Sequence, residues 1–291
     1  MARILLAGLS GDSGCQVACL GLHDKLLDII KENELVYAPT LIDVKDIPSN
    51  IDVAIIEGGI RTEHEEAVAK RIGESSDVVI TIGSCACFGG IPGLSNLKSG
   101  EELLNHIYSE LKGTVPGKVP QHDRVTQQMM PIQAAVDVDY LIPGCPPEVD
   151  DIAYVLTTLL SGNEPVLSKT DVCDDCPRER IGEYEGKLKR IHEDIPDPDR
   201  CLLEQGYLCM GPATRGGCGA PCPQAGMPCD GCRGPTEKTD DQGLTMLDAL
   251  TNLITDLNAE FSLPQHMGLI YRYTYPHSRL SRVLKGVKRN E

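Results

Sequence analysis

The sequence predicts a mostly parallel, doubly wound α/β sheet followed by a long region of irregular structure. In the first 160 residues, short apolar segments alternate with segments of helical period. After about residue 165 this periodicity stops, and Gly, Pro, Asp and Cys dominate. We therefore place a first domain at 1–162 and a second domain at 163–291. A stretch of this length without regular elements is unusual unless something other than a hydrophobic core holds it together.

Five apolar segments are the predicted strands: Arg3–Gly8, Leu35–Leu41, Val53–Glu57, Asp77–Ile82 and Val138–Ile142. Segments with a helical period and charged faces lie between them: Leu20–Lys31, Thr62–Ile72 and Gly100–Leu111. This alternation indicates βαβ units and parallel pairing. Near the C-terminal end, helical spacing predicts one more helix with an apolar face of Leu247, Leu250, Ile254 and Leu257, and a basic tail follows it.

The composition excludes several kinds of partner. The chain has 291 residues and a formal net charge of -16, which argues against binding to nucleic acid or to an anionic membrane. It contains no apolar run of the length needed to span a bilayer. The sequence opens on a strand, without a secretory leader or a twin-arginine signal, so we expect a cytoplasmic protein.

Cysteine is abundant, with 13 residues in the chain. In a reducing cytoplasm, so many thiols indicate metal ligands rather than disulfides. The odd number also fits a complete disulfide framework poorly.

Three cysteines follow predicted strands, namely Cys15, Cys85 and Cys145. The carboxyl ends of parallel strands meet at one edge of a sheet, so we expect these thiols to lie close together. Neighbouring glycines would let the backbone approach a bound group closely. The alternative is three buried structural thiols.

The second half of the chain carries eight further cysteines. They form two CxxC pairs and four separate thiols: Cys173 with Cys176, Cys229 with Cys232, and Cys201, Cys209, Cys218 and Cys222. Eight thiolates are what two four-iron cubanes require. Structural zinc is the alternative, although zinc ribbons usually pair one CxxC with another.

Three cubanes need twelve ligands, and these two sets supply eleven cysteines. Asp12 is the favoured twelfth ligand, because it stands three residues before Cys15, where a CxxC turn would have its first cysteine. Cys19, Cys87 and an exogenous ligand are the alternatives. Asp12 could instead be the N-cap of a predicted helix at Ser13–Lys25.

Six motifs resemble the small subunit of nickel–iron hydrogenases: GDSGCQVACLGL, IIEGGI, GSCACFGGIPG, PGCPPEVDDI, CLLEQGYLCMGPATRGGCGAPC and AGMPCDGC. The resemblance covers nearly the whole chain. It is strongest to the cytoplasmic gamma subunit of the methanogen hydrogenase that reduces the deazaflavin coenzyme F420. It implies a flavodoxin-like first domain and an irregular, ferredoxin-like iron–sulfur cluster domain at the C-terminal end.

The resemblance also implies three [4Fe-4S] clusters and their ligands. The proximal cluster would be held by Asp12, Cys15, Cys85 and Cys145. The medial cluster would be held by Cys218, Cys222, Cys229 and Cys232. The distal cluster would be held by Cys173, Cys176, Cys201 and Cys209. Exchange of ligands between the last two sets stays open, because ferredoxin sequences often share cysteines between clusters.

The implied function is electron transfer in hydrogen oxidation. Electrons would come from a nickel–iron centre in a separate large subunit and pass to a partner subunit that binds flavin (FAD) and reduces F420. The alternative partner is heterodisulfide reductase, which the viologen-reducing, F420-non-reducing type supplies. Glu57 corresponds to a glutamate near the junction with the large subunit and is a candidate proton relay, or else a solvated or hydrogen-bonded surface residue.

Three other classes remain as alternatives. A relative of the respiratory complex would share the first domain, but it would lack the eight downstream cysteines. A metal-binding or redox-sensing protein without enzymatic activity would bind zinc or cycle its thiols. A phosphate-binding first turn is disfavoured, because GLSGDSG matches neither the dinucleotide fingerprint nor a P-loop with its lysine.

Overall fold

The structure, a computed structural model, describes residues 1–113, 115, 117–119, 125–184, 188–253 and 263–281. Its strands are β1 (Arg3–Gly8), β2 (Glu34–Tyr37), β3 (Ile51–Glu57), β4 (Ile60–Thr62), β5 (Ser76–Ile82), β6 (Val125–Met130) and β7 (Tyr140–Ile142). Its α-helices are α1 (Gly14–Leu20), α2 (Asp24–Glu32), α3 (Glu63–Glu74), α4 (Gly83–Phe88), α5 (Gly100–Asn105), α6 (Val149–Leu160), α7 (Val172–Asp175), α8 (Pro221–Gln224), α9 (Gln242–Leu253) and α10 (Leu263–Ile270).

The described residues separate into two compact units. The first contains Met1–Pro165 together with Tyr275–His277, and the second contains Val166–Thr274 and resumes at Ser278. No helix among the described residues is both long and apolar enough to cross a membrane.

A five-stranded sheet forms the centre of the first unit, in the order β2-β1-β3-β5-β7. Every neighbouring pair in it is parallel. Counted along the chain, these five strands have the order 2-1-3-4-5 that defines the flavodoxin-like fold. The predicted α/β class and parallel sheet are therefore confirmed. A second, antiparallel pair, β4 with β6, was not expected from the residue pattern.

The central strands of the first unit are nearly continuous apolar runs because the core covers both faces of the sheet. Six of the seven residues of β3 are buried, as expected for a parallel strand that is covered on both faces. Leu5, Ile56 and Ile72 are fully buried in one apolar cluster with their neighbours. Burial of each such side chain contributes roughly 1.5–3 kcal/mol.

The helix α3 begins with a complete capping box. Thr62 Oγ1 accepts a hydrogen bond from Glu65 N at 3.1 Å, and Glu65 Oε2 accepts one from Thr62 N at 2.9 Å. These bonds satisfy backbone donors that a helix start would otherwise leave without partners. The helix thus begins one residue later than predicted and continues to Glu74.

Two helix predictions were wrong in extent. The predicted segment Leu20–Lys31 is split between α1 and α2, because the chain turns between them and His23 has a φ of 50°. The predicted helix Gly100–Leu111 is α-helical only to Asn105 and continues as a π-helix over His106–Glu110. Of the predicted C-terminal apolar face, Leu247 and Leu250 lie on α9, whereas Ile254 and Leu257 lie outside the described residues.

A short C-terminal segment belongs to the first unit. Pro276 packs closely against Gly89 and Gly93, in the turn after α4. His277 makes an edge-on contact with Phe88, with ring centroids 5.5 Å apart. These contacts brace the turn that follows Cys85.

Candidate metal centres

The carboxyl ends of four strands lie in one register row of the sheet. Gly8 of β1 pairs with Glu57 of β3, Glu57 with Ile82 of β5, and Ile82 with Ile142 of β7. The segments that carry Cys15, Cys85 and Cys145 leave from this row, so the topology gathers them at one edge.

Burial and the charges of neighbouring groups raise the pKa of the thiols at this edge. Burial raises the pKa of Cys85 to about 12, with further contributions from Cys145, Asp12 and Glu57. Burial also raises the pKa of Cys15, and the charges of Glu57, Cys85 and Cys145 raise it further. The predicted convergence of these side chains is therefore present in the structure.

Close backbone packing holds the thiols in place. Gly83 has a φ of 83°, and a Cβ atom at this position would overlap the sulfur of Cys15. The backbone N–H of Ser84 donates a hydrogen bond to Gly144 O at 2.8 Å, which joins the turns that carry Cys85 and Cys145. Glycine at position 83 is thus required both by its φ and by the nearness of the Cys15 thiol.

Asp12 lies at the same edge, at the start of α1. Its Oδ1 accepts a hydrogen bond from Gly14 N at 3.0 Å. Its charge raises the pKa of the Cys15, Cys85 and Cys145 thiols, in each case after the larger effect of burial. Asp12 is thus near all three thiols, and only one of its two carboxylate oxygens is engaged with the helix start.

The interpretation of Asp12 as the N-cap of a helix at Ser13–Lys25 was wrong. The helix α1 covers Gly14–Leu20, and its N-cap is Ser13, which has a φ of 64° and makes no side-chain capping bond. Asp12 stands one residue earlier and satisfies an N–H of the first turn from there.

The other two thiols near this edge have different neighbours. Burial and Glu57 raise the pKa of Cys19 to about 12. Cys87 is fully buried, and its sulfur contacts Thr81 Oγ1 at 3.4 Å and Thr81 O at 3.6 Å. The thiol of Cys87 therefore packs on β5, whereas Asp12 is the residue close to Cys15, Cys85 and Cys145.

Glu57 is a buried carboxylate beside the proximal thiols. Its side chain is only 2% exposed, and Oε1 accepts a hydrogen bond from Cys15 N at 3.3 Å. Oε2 has no hydrogen-bond partner among the described residues. Glu57 is therefore hydrogen-bonded, as one interpretation expected, but its placement at the surface was wrong, and its role in proton transfer stays a prediction.

In the second unit, four of the predicted ligands line one cavity. The cavity has a volume of about 290 Å³, and its walls include Cys173, Cys176, Cys201 and Cys209. Burial raises the pKa of Cys209 to about 11, and Cys201 and Cys176 contribute to the rise. Burial likewise raises the pKa of Cys173, with contributions from Cys209 and Cys201. These four thiols face a common space, as a cluster site requires.

The segment around α7 connects several ligand-bearing turns. Asp171 Oδ1 accepts a hydrogen bond from Cys173 N at 2.8 Å and so begins the helix. Asp175 Oδ2 accepts bonds from Gly217 N at 2.5 Å and Gly219 N at 3.2 Å, the two residues that flank Cys218. No sequence pattern had assigned Asp175 a role.

Arg178 fixes two further turns. Its Nε donates to Pro223 O at 2.8 Å, next to Cys222, and its Nη1 donates to Arg200 O at 3.0 Å, next to Cys201. The side chain is 9% exposed, and the several N–H donors of its guanidinium allow it to bond the carbonyls of both turns at once. Sequence analysis missed this residue as well, because its partners lie 22 and 45 residues away.

The remaining four predicted ligands lie close together in the sequence. They are Cys218, Cys222, Cys229 and Cys232. Cys222 is on α8, and Cys222 O accepts a hydrogen bond from Met227 N at 2.9 Å, which closes the turn toward Cys229. Burial raises the pKa of Cys229, with contributions from Cys209 and Cys232. The backbone N–H of Cys229 donates to Cys209 Sγ at 3.3 Å. The predicted medial and distal ligand sets therefore touch at Cys229 and Cys209.

The predicted ligand sets consist almost entirely of thiols, the usual ligands of iron–sulfur cubanes. Burial disfavours thiolates, so these sulfurs would stay protonated at neutral pH without positive charge nearby, and iron supplies that charge. Among the described residues, no three His, Cys, Asp or Glu side chains converge as they would around one metal ion. A cubane instead binds each thiolate at a separate iron, so its ligands are spread over a larger space.

Comparison with known proteins agrees with this arrangement. The family model "NADH ubiquinone oxidoreductase, 20 Kd subunit" matches residues 13–159. The G subunit of the F420-non-reducing vhu hydrogenase of Methanocaldococcus jannaschii is 46% identical over 285 residues, covering 97% of this chain and 98% of that protein. The gamma subunit of the coenzyme F420 hydrogenase of Methanosarcina barkeri is 31% identical over 226 residues, covering 74% of this chain and 73% of that protein.

A solved structure is also similar. A chain of the NAD⁺-reducing [NiFe]-hydrogenase in the H₂-reduced state has a TM-score of 0.55 and 31% identity, covering 57% of this chain and 94% of that chain. A flavodoxin-like sheet with cysteines gathered beyond its strand ends defines the class as a cysteine-rich electron-transfer subunit. The chain belongs to the family of the 20 kDa subunit of NADH ubiquinone oxidoreductase and, within it, to the small subunits of nickel–iron hydrogenases. Such small subunits pair with a large subunit that contains nickel and iron.

Proposed function

We propose that this chain is the electron-transfer subunit of an F420-non-reducing hydrogenase. The observation that carries the proposal is the similarity to the vhu hydrogenase protein of Methanocaldococcus jannaschii over 97% of the chain, at 46% identity. The gamma subunit of coenzyme F420 hydrogenase matches a smaller part of the chain at 31% identity. The F420-reducing type, which the motifs alone favoured, is therefore the second choice.

We assign the ligands in three sets. The proximal set is Asp12, Cys15, Cys85 and Cys145, the medial set is Cys218, Cys222, Cys229 and Cys232, and the distal set is Cys173, Cys176, Cys201 and Cys209. Two observations support this assignment: after burial and Glu57, Cys85 and Cys145 also raise the pKa of Cys15, and the distal thiols line one cavity. Each set would hold one [4Fe-4S] cluster that accepts and releases single electrons.

Asp12 is the twelfth ligand in this proposal. Its support is its nearness to Cys15, Cys85 and Cys145, together with the carboxylate oxygen that the helix start leaves available. Cys87 packs against Thr81, and Cys19 is buried with Glu57 as its charged neighbour. A carboxylate is a harder ligand than a thiolate, so the proximal cluster would be chemically distinct from the other two.

Glu57 serves as a proton relay in this proposal. Hydrogen oxidation releases protons as well as electrons, and a buried carboxylate with one free oxygen can accept and pass on a proton. Its place in the row of strand ends puts it beside the proximal ligands Cys15 and Cys85.

The proposed partners are a large subunit with the nickel–iron centre and an acceptor subunit that contains FAD. For the F420-non-reducing type, this acceptor belongs to heterodisulfide reductase. We place the complex in the cytoplasm, because a reducing compartment keeps 13 cysteines available as metal ligands, whereas such a number would form disulfides in an oxidising compartment. A metal-binding or redox-sensing protein without enzymatic activity is disfavoured by the similarity to a hydrogenase subunit over 97% of the chain.

Anaerobic isolation of the complex tests the proposed acceptor. The purified complex should reduce viologen dyes with hydrogen and should fail to reduce F420, and heterodisulfide reductase subunits should be purified with it. Hydrogen-dependent reduction of F420 at a rate similar to that of viologen reduction would instead support the second choice.

A further inference from the structure

Glu204 is a buried carboxylate with a hydrogen-bond partner for each of its oxygens. It stands three residues after Cys201 in the motif CLLEQGYLC, and its exposed fraction is only 1%. Oε2 accepts a hydrogen bond from Ile181 N, and Oε1 accepts one from Gly182 N, both at 2.9 Å. An ionised carboxylate only accepts hydrogen bonds, so two backbone donors suit its charged form. Glu204 thereby fixes the backbone of two residues that lie more than 20 positions earlier in the chain.

The next residue, Gln205, fixes a later part of the same stretch. Its Oε1 accepts a hydrogen bond from Asp197 N at 2.7 Å, and its Nε2 donates one to Arg200 O at 3.0 Å. Gln205 is itself buried, with an exposed fraction of 5%. Two adjacent side chains after Cys201 therefore hold the chain before it at two separate places.

Tyr184 lies two residues after Gly182 and reaches the distal cavity, which is the 290 Å³ cavity lined by the distal ligand set. Its ring forms part of the wall of this cavity. The residue is also 42% exposed, so the same side chain contacts both the cavity and the solvent. Burial raises the pKa of Tyr184, and the charges of Glu204 and Cys201 raise it further. The tyrosine therefore stands at the boundary between the ligand thiols and water.

Water beside an iron–sulfur cluster changes its reduction potential. Reduction adds one negative charge to the cluster, and water stabilises this charge better than an apolar wall does. A cluster that is screened from water therefore has a lower midpoint potential than an exposed one. An aromatic ring at the edge of a cavity excludes water over a large area and brings no charge of its own.

We propose that Tyr184 forms the solvent-side wall of the distal cluster and that Glu204 is the positioning residue that holds it there. By excluding water, the ring keeps the midpoint potential of the distal cluster low. The inference rests on the proposed function, in which the distal cavity holds the last cluster of the relay. It assigns a role to the glutamate of the motif CLLEQGYLC, which the ligand assignment leaves without one.

A low potential at this cluster serves the transfer to the acceptor. The distal cluster passes electrons out of the subunit, and a lower midpoint potential makes it a stronger reductant. The wall that Tyr184 provides thus increases the driving force for the last transfer. It also limits the access of dissolved oxidants and chelators to the cluster.

The test is a redox titration of the anaerobically purified complex, followed by EPR. Tyr184→Ala removes the ring and opens the distal cavity to water. We expect the equilibrium constant for reduction of the distal cluster to rise on the order of tenfold, about 59 mV for a one-electron couple. Tyr184→Phe keeps the ring and should retain the wild-type midpoint. Tyr154→Ala is the matched control, because Tyr154 has a similar exposed fraction, 44%, and lies on α6 of the first unit.

Glu204→Asp tests the positioning role separately from the charge. The variant keeps the negative charge, but its shorter side chain cannot reach both N–H groups. We expect it to raise the distal midpoint by less than Tyr184→Ala does. Added to Tyr184→Ala, it should give no further rise, because the ring on which it acts is already absent. A full additional rise in the double variant would show that Glu204 acts independently of Tyr184 and would overturn its positioning role.

The outcomes separate this inference from the proposed function. A Tyr184→Ala complex with full iron content and an unchanged distal midpoint, or with a shift confined to the medial cluster, overturns the inference. A wild-type complex without a distal cluster overturns the ligand assignment instead. If Tyr184→Ala cannot be loaded with iron, Tyr184→Leu provides the test, because its smaller apolar side chain covers less of the cavity. This variant should raise the distal midpoint by a smaller amount, and no change would overturn the inference.

Discussion

The carboxylate of Glu57 accepts a hydrogen bond from the backbone N–H of Cys15 at 3.3 Å, within the row where β1, β3, β5 and β7 end. One buried acidic group is thereby fixed to the segment that carries a proximal ligand. The same carboxylate raises the pKa of the Cys15 and Cys85 thiols, after the larger effect of burial. Its charge therefore acts on the site where electrons would enter this subunit.

Replacement of Glu57 by Gln should separate the two effects of this carboxylate. Removal of a negative charge stabilises the reduced cluster, so the proximal midpoint potential should rise in an EPR-monitored titration. If Glu57 relays protons, hydrogen–deuterium exchange by the complex should fall on the order of 100-fold. Glu63→Gln, at an exposed position on α3, is the matched control and should change neither quantity. Unchanged exchange in Glu57→Gln would exclude the relay.

Replacement of Asp12 by Cys tests the proposed oxygen ligand. The substitution restores a CxxC turn, so we expect a changed EPR signal and Mössbauer spectrum for the proximal cluster only. Cys19→Ser and Cys87→Ser should leave these spectra as in the wild type, because the proposal assigns neither thiol to the proximal cluster and Cys87 packs against Thr81. A changed proximal spectrum in either serine variant, with none in Asp12→Cys, would contradict the assignment.

Replacement of Cys201 by Ser tests the assignment of the 290 Å³ cavity. Serine is a much weaker iron ligand than a thiolate, so the variant should contain about eight irons per chain instead of about twelve. The loss should be confined to the distal cluster in EPR spectra. Loss of medial signals with retention of distal signals would show that the ligand sets are exchanged.

Replacement of Asp175 by Ala should affect the medial cluster, although Asp175 lies beside the distal ligand Cys176. The variant loses two hydrogen bonds to the N–H groups that flank Cys218, a stabilisation of roughly 2 kcal/mol. We expect faster loss of iron from the medial cluster in the presence of a chelator. Asp175→Asn keeps one acceptor oxygen and should give an intermediate rate; a wild-type rate in the alanine variant would contradict this role.

Replacement of Thr62 by Ala tests how far the capping box stabilises the first unit. The hydroxyl accepts a hydrogen bond from Glu65 N, so its loss should lower the free energy of unfolding by about 1 kcal/mol. Urea unfolding of the cluster-loaded chain, followed by circular dichroism, measures the change. Thr62→Ser retains the acceptor and should remain within a few tenths of a kcal/mol of the wild type.

The sheet was predictable because its signals are local. The strands β1 and β3 are short apolar runs that end in Gly and Glu, and β1 was predicted with its observed bounds, Arg3–Gly8. The pairing of β4 with β6 could not be predicted, because Ile60 and Met130 are far apart in the chain and neither strand forms a distinct apolar run. The break between α1 and α2 depends on the conformation of His23, for which residue type gives little signal.

The candidate sites, like the fold, were predictable in part: the convergence of the proximal cysteines was expected, but the side chains that support the ligands were not. Placement of cysteines after parallel strands was enough to expect that Cys15, Cys85 and Cys145 converge. The side chains that support the ligands were missed, because Asp175 and Arg178 act on partners distant in sequence. Their residue types are common in loops, so composition alone does not distinguish them.

Iron, sulfide and zinc analysis of the anaerobically isolated chain in its complex tests the central claim most directly. Three cubanes on these ligand sets predict about twelve irons and about twelve sulfides per chain, with zinc only at trace levels. Iron far below this number, or zinc in stoichiometric amount, would contradict the proposal that this small subunit conducts electrons through three clusters.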